Sequence, residues 1–95
     1  MAGWWLPWRQ LDVLRRIDAG EVVKCTGSAS AFWWNEGGGC TPQGKALLRR
    51  GLVTMRSDFS GVKGIFIVEV TPTGKNELGY HRNLTKDHYE KKGTI

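Results

Sequence analysis

The segment that most constrains the fold is residues 41–52, T-P-Q-G-K-A-L-L-R-R-G-L, which contains signals for both ends of a short helix. Thr41 suits a helix start because its hydroxyl can accept a hydrogen bond from a free N–H group of the first turn, and Pro42 fits the first helical position. Gly51 suits the left-handed residue that ends a helix, and Leu52 can then fold back against the last turn.

The predicted helix has an apolar side and a polar side. At about 100° per residue, Gly44, Leu47 and Leu48 fall together on one side. The other side holds Gln43, Lys45, Ala46, Arg49 and Arg50. We therefore expect one side to contact a core and the other to face water or an anionic partner.

The opening of this segment occurs twice. Residues 71–75, T-P-T-G-K, repeat the pattern of residues 41–45, T-P-Q-G-K, and in both copies a leucine follows three residues after the lysine. Two copies are too few for a solenoid, which needs at least three stacked units. The repeat predicts two helices that begin in the same way, each with a glycine on its apolar side where a neighbouring helix would come close.

Size and charge limit the classes of protein. Ninety-five residues allow one domain with a modest core. No apolar run approaches the roughly 20 residues of a membrane-spanning helix, and the N-terminus lacks the basic and apolar regions of a secretory signal. We expect a cytoplasmic protein with no membrane partner, and the net charge of +5 favours an anionic partner without identifying it.

The N-terminal region predicts a helix preceded by a cluster of aromatics. Residues 7–19 carry a proline at the helix start and are followed by a glycine. The apolar stripe of this helix is Leu11, Leu14 and Ile17, and its outward charges are Arg9, Asp12, Arg15, Arg16 and Asp18. Asp12 and Arg16 lie one turn apart and are placed to form an ion pair. Trp4, Trp5 and Trp8 either fold back over the small core or form a contact with another protein or another copy.

Residues 21–39 predict a small β-hairpin before the central helix. Residues 22–23 suit the first strand and residues 31–34 the second, with a turn-like run between them. Trp33 and Trp34 would then point to opposite faces of the sheet. The three glycines that follow lack the lysine and Ser/Thr of a P-loop, so they predict a linker.

Residues 52–56 and 65–70 predict a second hairpin, joined by a polar turn. In its second strand, three residues that face the core (Phe66, Val68 and Val70) alternate with Ile65, Ile67 and Glu69, and the glutamate indicates the outward face. Thr71 then begins a last helix that extends to about residue 82. Residues 83–95 are charged and predict a tail or a short helix.

With this order of elements, the chain resembles a winged helix-turn-helix DNA-binding domain of the MarR type. The likeness covers residues 41–78 and is carried by A-L-L-R-R-G-L-V at residues 46–53, the polar turn, and V-E-V-T-P-T-G-K at residues 68–75. The resemblance implies an α+β fold, namely one small winged-helix domain over residues 1–82 with three main helices and a β-hairpin wing. A hairpin stands where the family has a supporting helix before the recognition helix.

Carried over to this chain, the resemblance makes residues 41–50 the recognition helix and residues 56–63 the wing. The candidate DNA-binding residues are Thr41, Gln43, Lys45, Arg49, Arg50, Arg56 and Lys63. Thr41 and the first turn would hold a phosphate, Gln43 would reach an adenine edge, and either arginine of the helix would reach guanine or a phosphate. The other three would contact phosphates. A helix surface that is merely solvated explains the same charges.

Two functions from different classes follow. The first is a sequence-recognising, DNA-binding transcription regulator on double-stranded DNA, with a homodimer as the arrangement that reads two half-sites. The second is a protein-interaction module, of phage or mobile-element origin, that binds a host protein through the aromatics Trp4, Trp5 and Trp8 or through Trp33 and Trp34.

No catalytic site, cofactor or metal site is predicted. Cys25 and Cys40 are fifteen residues apart and lack the close ligand pairs of structural zinc sites. We expect two free, buried thiols, with a disulfide and an oxidation sensor as alternatives. His81 and His88 lie among charged residues and are expected to be solvated, so nothing assembles the nucleophile, base and orienting group of an enzyme.

Overall fold

A computed structural model describes residues 6–56 and 63–81. These residues form α1 (Trp8–Asp18), β1 (Val23–Thr26), β2 (Phe32–Trp34), α2 (Thr41–Arg49), β3 (Val53–Arg56), β4 (Ile65–Val70) and α3 (Pro72–Tyr80). The predicted α+β class is confirmed. Predictions for Trp4, Trp5, the tip of the second hairpin, His88 and residues 83–95 lie outside the described residues. None of the described helices is both long and apolar enough to cross a membrane.

The four described strands form one antiparallel sheet in the order β2-β1-β4-β3. Both predicted hairpins are confirmed. β4 has the predicted bounds, whereas the first strand, predicted at residues 22–23, is β1 and extends to Thr26. The two hairpins join because β1 also pairs with β4, with Cys25 opposite Phe66. The hairpin of β1 and β2 therefore extends the sheet. It is this hairpin, and not a helix, that directly precedes α2.

The core lies between the helices and one face of this sheet. Alternate strand residues contribute to it, as the twofold period of a strand requires. The largest fully buried side chains are Leu6, Leu11, Leu14, Val23, Cys25, Phe32, Leu47, Leu52 and Val53. Trp34, Met55, Phe66 and Val70 pack against them from the same face. The predicted inward face of β4 is confirmed.

The predicted apolar stripe of α1 is confirmed, and Val13 joins it. The predicted pair between Asp12 and Arg16 is wrong. Arg16 instead donates two hydrogen bonds to one carboxylate oxygen of Glu21, at 2.7 and 3.0 Å. The chain turns back directly after α1, which brings Glu21 within reach.

The end of α2 follows the prediction, and its start does not. Gly51 has φ +76°, and the N–H of Leu52 donates to the Leu47 carbonyl at 3.0 Å, which closes the helix as expected. At the start, Cys40 is the capping position and no side chain caps the first turn. The Thr41 hydroxyl accepts from the N–H of Phe32 at 3.0 Å and donates to its carbonyl at 3.2 Å. The expected Thr41 cap is thus wrong because the hydroxyl joins α2 to β2.

The glycine of each T-P-x-G-K copy packs closely against a neighbour, although the neighbour is not the predicted helix. A β-carbon on Gly44 would lie 2.9 Å from Cβ of Phe32 and still closer to two carbons of its ring. A β-carbon on Gly74 would lie 2.8 Å from Cγ1 of Val70 and closer still to the Leu52 carbonyl oxygen. Both helices therefore approach the sheet at a glycine.

Thr71 caps α3 as predicted, because its hydroxyl accepts from the N–H of Gly74 at 3.0 Å. The same hydroxyl donates to the Gly51 carbonyl at 2.7 Å, and the Thr71 N–H donates to the Leu52 carbonyl at 3.0 Å. The start of α3 is consequently fixed to the chain segment that ends α2.

Candidate nucleic-acid interface

The outward side of α2 is basic. Lys45, Arg49 and Arg50 are exposed, as the amphipathic pattern predicted. The chain from Glu36 to Asp58 has no acidic residue between these two, whereas it has four basic ones. This stretch contains the whole of α2 and β3, so neither element carries a carboxylate of its own.

The charges of Lys45 and Arg49 are not offset by a carboxylate of the described residues. Neither side chain forms an ion pair within residues 6–56 and 63–81. At about 100° per residue, the two lie within about 40° of each other around the helix axis. Two cations one turn apart on one exposed side form a surface that an anionic backbone can contact.

Gln43 and Thr41 do not belong to this surface. Gln43 is half-buried and lines a small cavity of about 170 Å³ together with Trp8, Asp12 and Trp34. It therefore points toward α1, well away from the side of Lys45 and Arg49. The Thr41 hydroxyl is hydrogen-bonded to the N–H and the carbonyl of Phe32, so it is not free to bind a phosphate.

The two candidate residues of the second hairpin differ from each other. Arg56 at the end of β3 forms an ion pair with Glu69 of β4, with Nε 2.9 Å from Oε1. Its charge is therefore offset by a carboxylate on the neighbouring strand. Lys63, just before β4, is exposed. Of the two, Lys63 is the better candidate for a phosphate contact.

The face of the sheet opposite the helices carries a row of mixed aromatic, basic and apolar residues that the sequence pattern did not predict. The registers place Trp33 opposite Lys24, Lys24 opposite Ile67, and Ile67 opposite Arg56. Trp33 and Trp34 thus point to opposite faces, as predicted. Trp34 packs against the core, with the Arg16 guanidinium 3.9 Å from its ring centre. Strand alternation in the sequence could have placed Lys24 and Trp33 on one face. It could not have predicted that β1 pairs with β4.

Trp8 contacts the core instead of standing free. It is half-buried against the hydrophobic cluster, and the Arg15 guanidinium lies 5.8 Å from its ring centre. For Trp8, this agrees with the first of the two alternatives, in which it folds back over the core.

His81 is not solvated, which corrects the prediction. Its side chain is 13% exposed, and Nε2 lies 3.4 Å from Oε1 of Glu77, one turn earlier. The end of α3 is held against α1 because Arg15 donates a hydrogen bond to the His81 carbonyl. Within the described residues, no three His, Cys, Asp or Glu side chains gather to hold a metal ion.

Cys25 and Cys40 are free and buried, as expected. Cys25 lies opposite Phe32 in the sheet, and the Cys40 N–H donates to the Phe32 carbonyl from the other side, at 2.9 Å. Neighbouring strands lie about 4.8 Å apart, so the two Cα atoms are separated by about 10 Å, more than the roughly 7 Å that a disulfide can span. Burial raises the pKa of both thiols.

Both cysteines should therefore react slowly with thiol reagents in the folded protein. At pH 8 we expect alkylation roughly 100-fold or more slower than in denaturant, because the reagent reaches the buried thiols only when the core opens. Mass spectrometry of a timed alkylation series measures this. Fast native labelling of Cys25, which lies in the middle of the sheet, would contradict the burial.

In comparisons with known proteins, no protein-family model, curated protein or solved structure matches the chain.

Proposed function

We propose that this protein binds double-stranded DNA through the outward side of α2, with the hairpin of β3 and β4 as a second contact, and that it acts as a transcription regulator. The single observation that supports this most is the pair of exposed cations Lys45 and Arg49, which have no acidic partner in the described residues. A homodimer on two half-sites is part of the same proposal.

The order of elements supports the proposal further. A short basic helix is followed directly by a β-hairpin, which is the arrangement of a recognition helix and a wing. The hairpin of β1 and β2 takes the place of the usual supporting helix, and it holds the start of α2 through the bonds between Thr41 and Phe32.

Phosphate binding makes affinity depend steeply on salt, and this provides the test. Each phosphate neutralised by a lysine or arginine contributes about 0.9 to the slope of log affinity against log salt. On a nonspecific duplex, where both cations can contact only phosphates, we expect Lys45→Ala and Arg49→Ala each to weaken binding and to make that slope shallower by about 1. Fluorescence anisotropy of a labelled duplex over a salt series measures both quantities.

Arg9→Ala is the matched control, because Arg9 is exposed on α1 and forms no ion pair in the described residues. It removes the same charge from another surface and should leave the slope nearly unchanged. Equal effects of Arg9→Ala and Arg49→Ala would show that net charge alone attracts DNA. Absence of any salt-dependent binding would rule out the proposal.

A protein-interaction module is the second candidate, and Trp33 is the residue that favours it. Trp33 lies on the sheet face away from the helices, beside Lys24, and is not among the residues packed on the core. Tryptophan is among the side chains that most often anchor protein interfaces. Under this alternative, Trp33→Ala removes binding to the partner protein, whereas Lys45→Ala and Arg49→Ala leave it intact.

A further inference from the structure

We infer that α2 reads guanine through Arg49, so that the protein prefers duplexes with a G·C pair at the contacted position. This inference rests on the proposed function, since it concerns the same helix surface. The inference is based on the hydrogen-bonding groups of that surface, which are all donors because Gln43 lies on another side of α2.

Four residues on the outward side of α2 are spaced as one helical stripe, namely the exposed Pro42, Lys45 and Arg49 and the half-buried Ala46. The two polar members carry only hydrogen-bond donors, and the other two are apolar. No amide and no carboxylate lies on this stripe. Arg50, which is exposed next to it, is also only a donor.

Such a surface can distinguish only some bases. In the major groove, guanine presents two adjacent acceptors, O6 and N7, which match the paired donors of an arginine. Adenine needs a group that both donates and accepts, and cytosine needs an acceptor. Gln43 is the amide of α2 that could have read adenine, and it points toward α1 beside Asp12.

The side chain of Arg49 is better suited than that of Lys45 to make the reading contact. Its planar guanidinium donates two parallel hydrogen bonds, whereas a lysine acts as a point charge and suits a phosphate. The two residues are four positions apart, about 6 Å along the helix axis, or roughly two base-pair steps. Ala46, one turn before Arg49, can meet a thymine methyl group beside the guanine.

Selection from a duplex pool with a randomised centre tests the inference. We expect the wild type to select a guanine at one position and Arg49→Gln to select adenine there, because glutamine pairs with adenine N6 and N7. Arg9→Gln, with the same change of charge on α1, should still select guanine. On single duplexes, changing the selected G·C pair to A·T should weaken the wild type about 10- to 100-fold.

A modified base separates direct reading from DNA shape. Replacing the selected guanine by 7-deazaguanine removes the N7 acceptor and leaves the pair intact, so wild-type binding should weaken about tenfold. Arg49→Gln should not respond to this change.

Each outcome separates the inference from the function on which it rests. Salt-dependent duplex binding without base preference, or with a guanine preference that persists in Arg49→Gln, overturns the guanine reading and leaves the DNA-binding proposal standing. Failure of the wild type to bind any duplex at low salt overturns both.

Discussion

Phe32→Ala is expected to destabilise the fold by about 3–5 kcal/mol, the usual cost of truncating a buried phenylalanine. The side chain is 1% exposed and lies between α2 and the sheet. Because domains of this size have about 5–15 kcal/mol of stability in total, the loss would consume a large part of it. Chemical denaturation followed by tryptophan fluorescence measures the change.

The close contact between Phe32 and Gly44 allows a more specific test. Alone, Gly44→Ala should destabilise by about 1–2 kcal/mol, since the new methyl group overlaps the Phe32 ring and only part of this is regained from the better helix propensity of alanine. In a Phe32→Ala background the methyl group enters the vacated space, so the change should become neutral or stabilising by up to ~1 kcal/mol. Phe32→Leu serves as the background if Phe32→Ala does not fold. Simple additivity of the two changes would contradict the contact.

Gly74→Ala is the second large effect, and Gly79 provides its control on the same helix. A methyl group at Gly74 meets the Leu52 carbonyl oxygen, which is backbone and cannot rotate away. We expect a loss of about 2–3 kcal/mol, or a melting temperature lower by roughly 10–20 °C. At Gly79 nothing lies within 4 Å of the added carbon, so alanine should stabilise by about 0.5 kcal/mol through helix propensity.

Calorimetry or thermal circular dichroism of the two variants gives the comparison directly. Opposite signs are the expected result. If both glycines tolerate alanine equally, α3 does not approach the Leu52 backbone as closely as the structure shows.

The sequence predicted those parts of the fold that local signals control. The end of α2 at Gly51, the bounds of β4 and the cap by Thr71 all depend on residues close together in the sequence, and all three are confirmed. The hairpin of β1 and β2 was likewise visible from its β-formers and turn residues.

The remaining features depend on partners far apart in the chain. Thr41 and Thr71 begin the same five-residue pattern, yet only Thr71 caps its helix, because the Phe32 backbone competes for the Thr41 hydroxyl. Arg56 of β3 forms an ion pair with Glu69 of the neighbouring strand β4. Gln43 lines a cavity that it shares with Trp8 and Asp12 of α1. None of these can be read from local periodicity, and each changes the candidate interface.

The position of Phe32 between the two cysteines has a consequence for the redox chemistry of the protein. The chain has two cysteines, and in the folded sheet strand β2 lies between them. A disulfide in this protein must therefore connect two molecules or form within a chain that has lost its fold. An oxidised intramolecular form would consequently record past unfolding, and its fraction in a stored sample would report how often the sheet had opened.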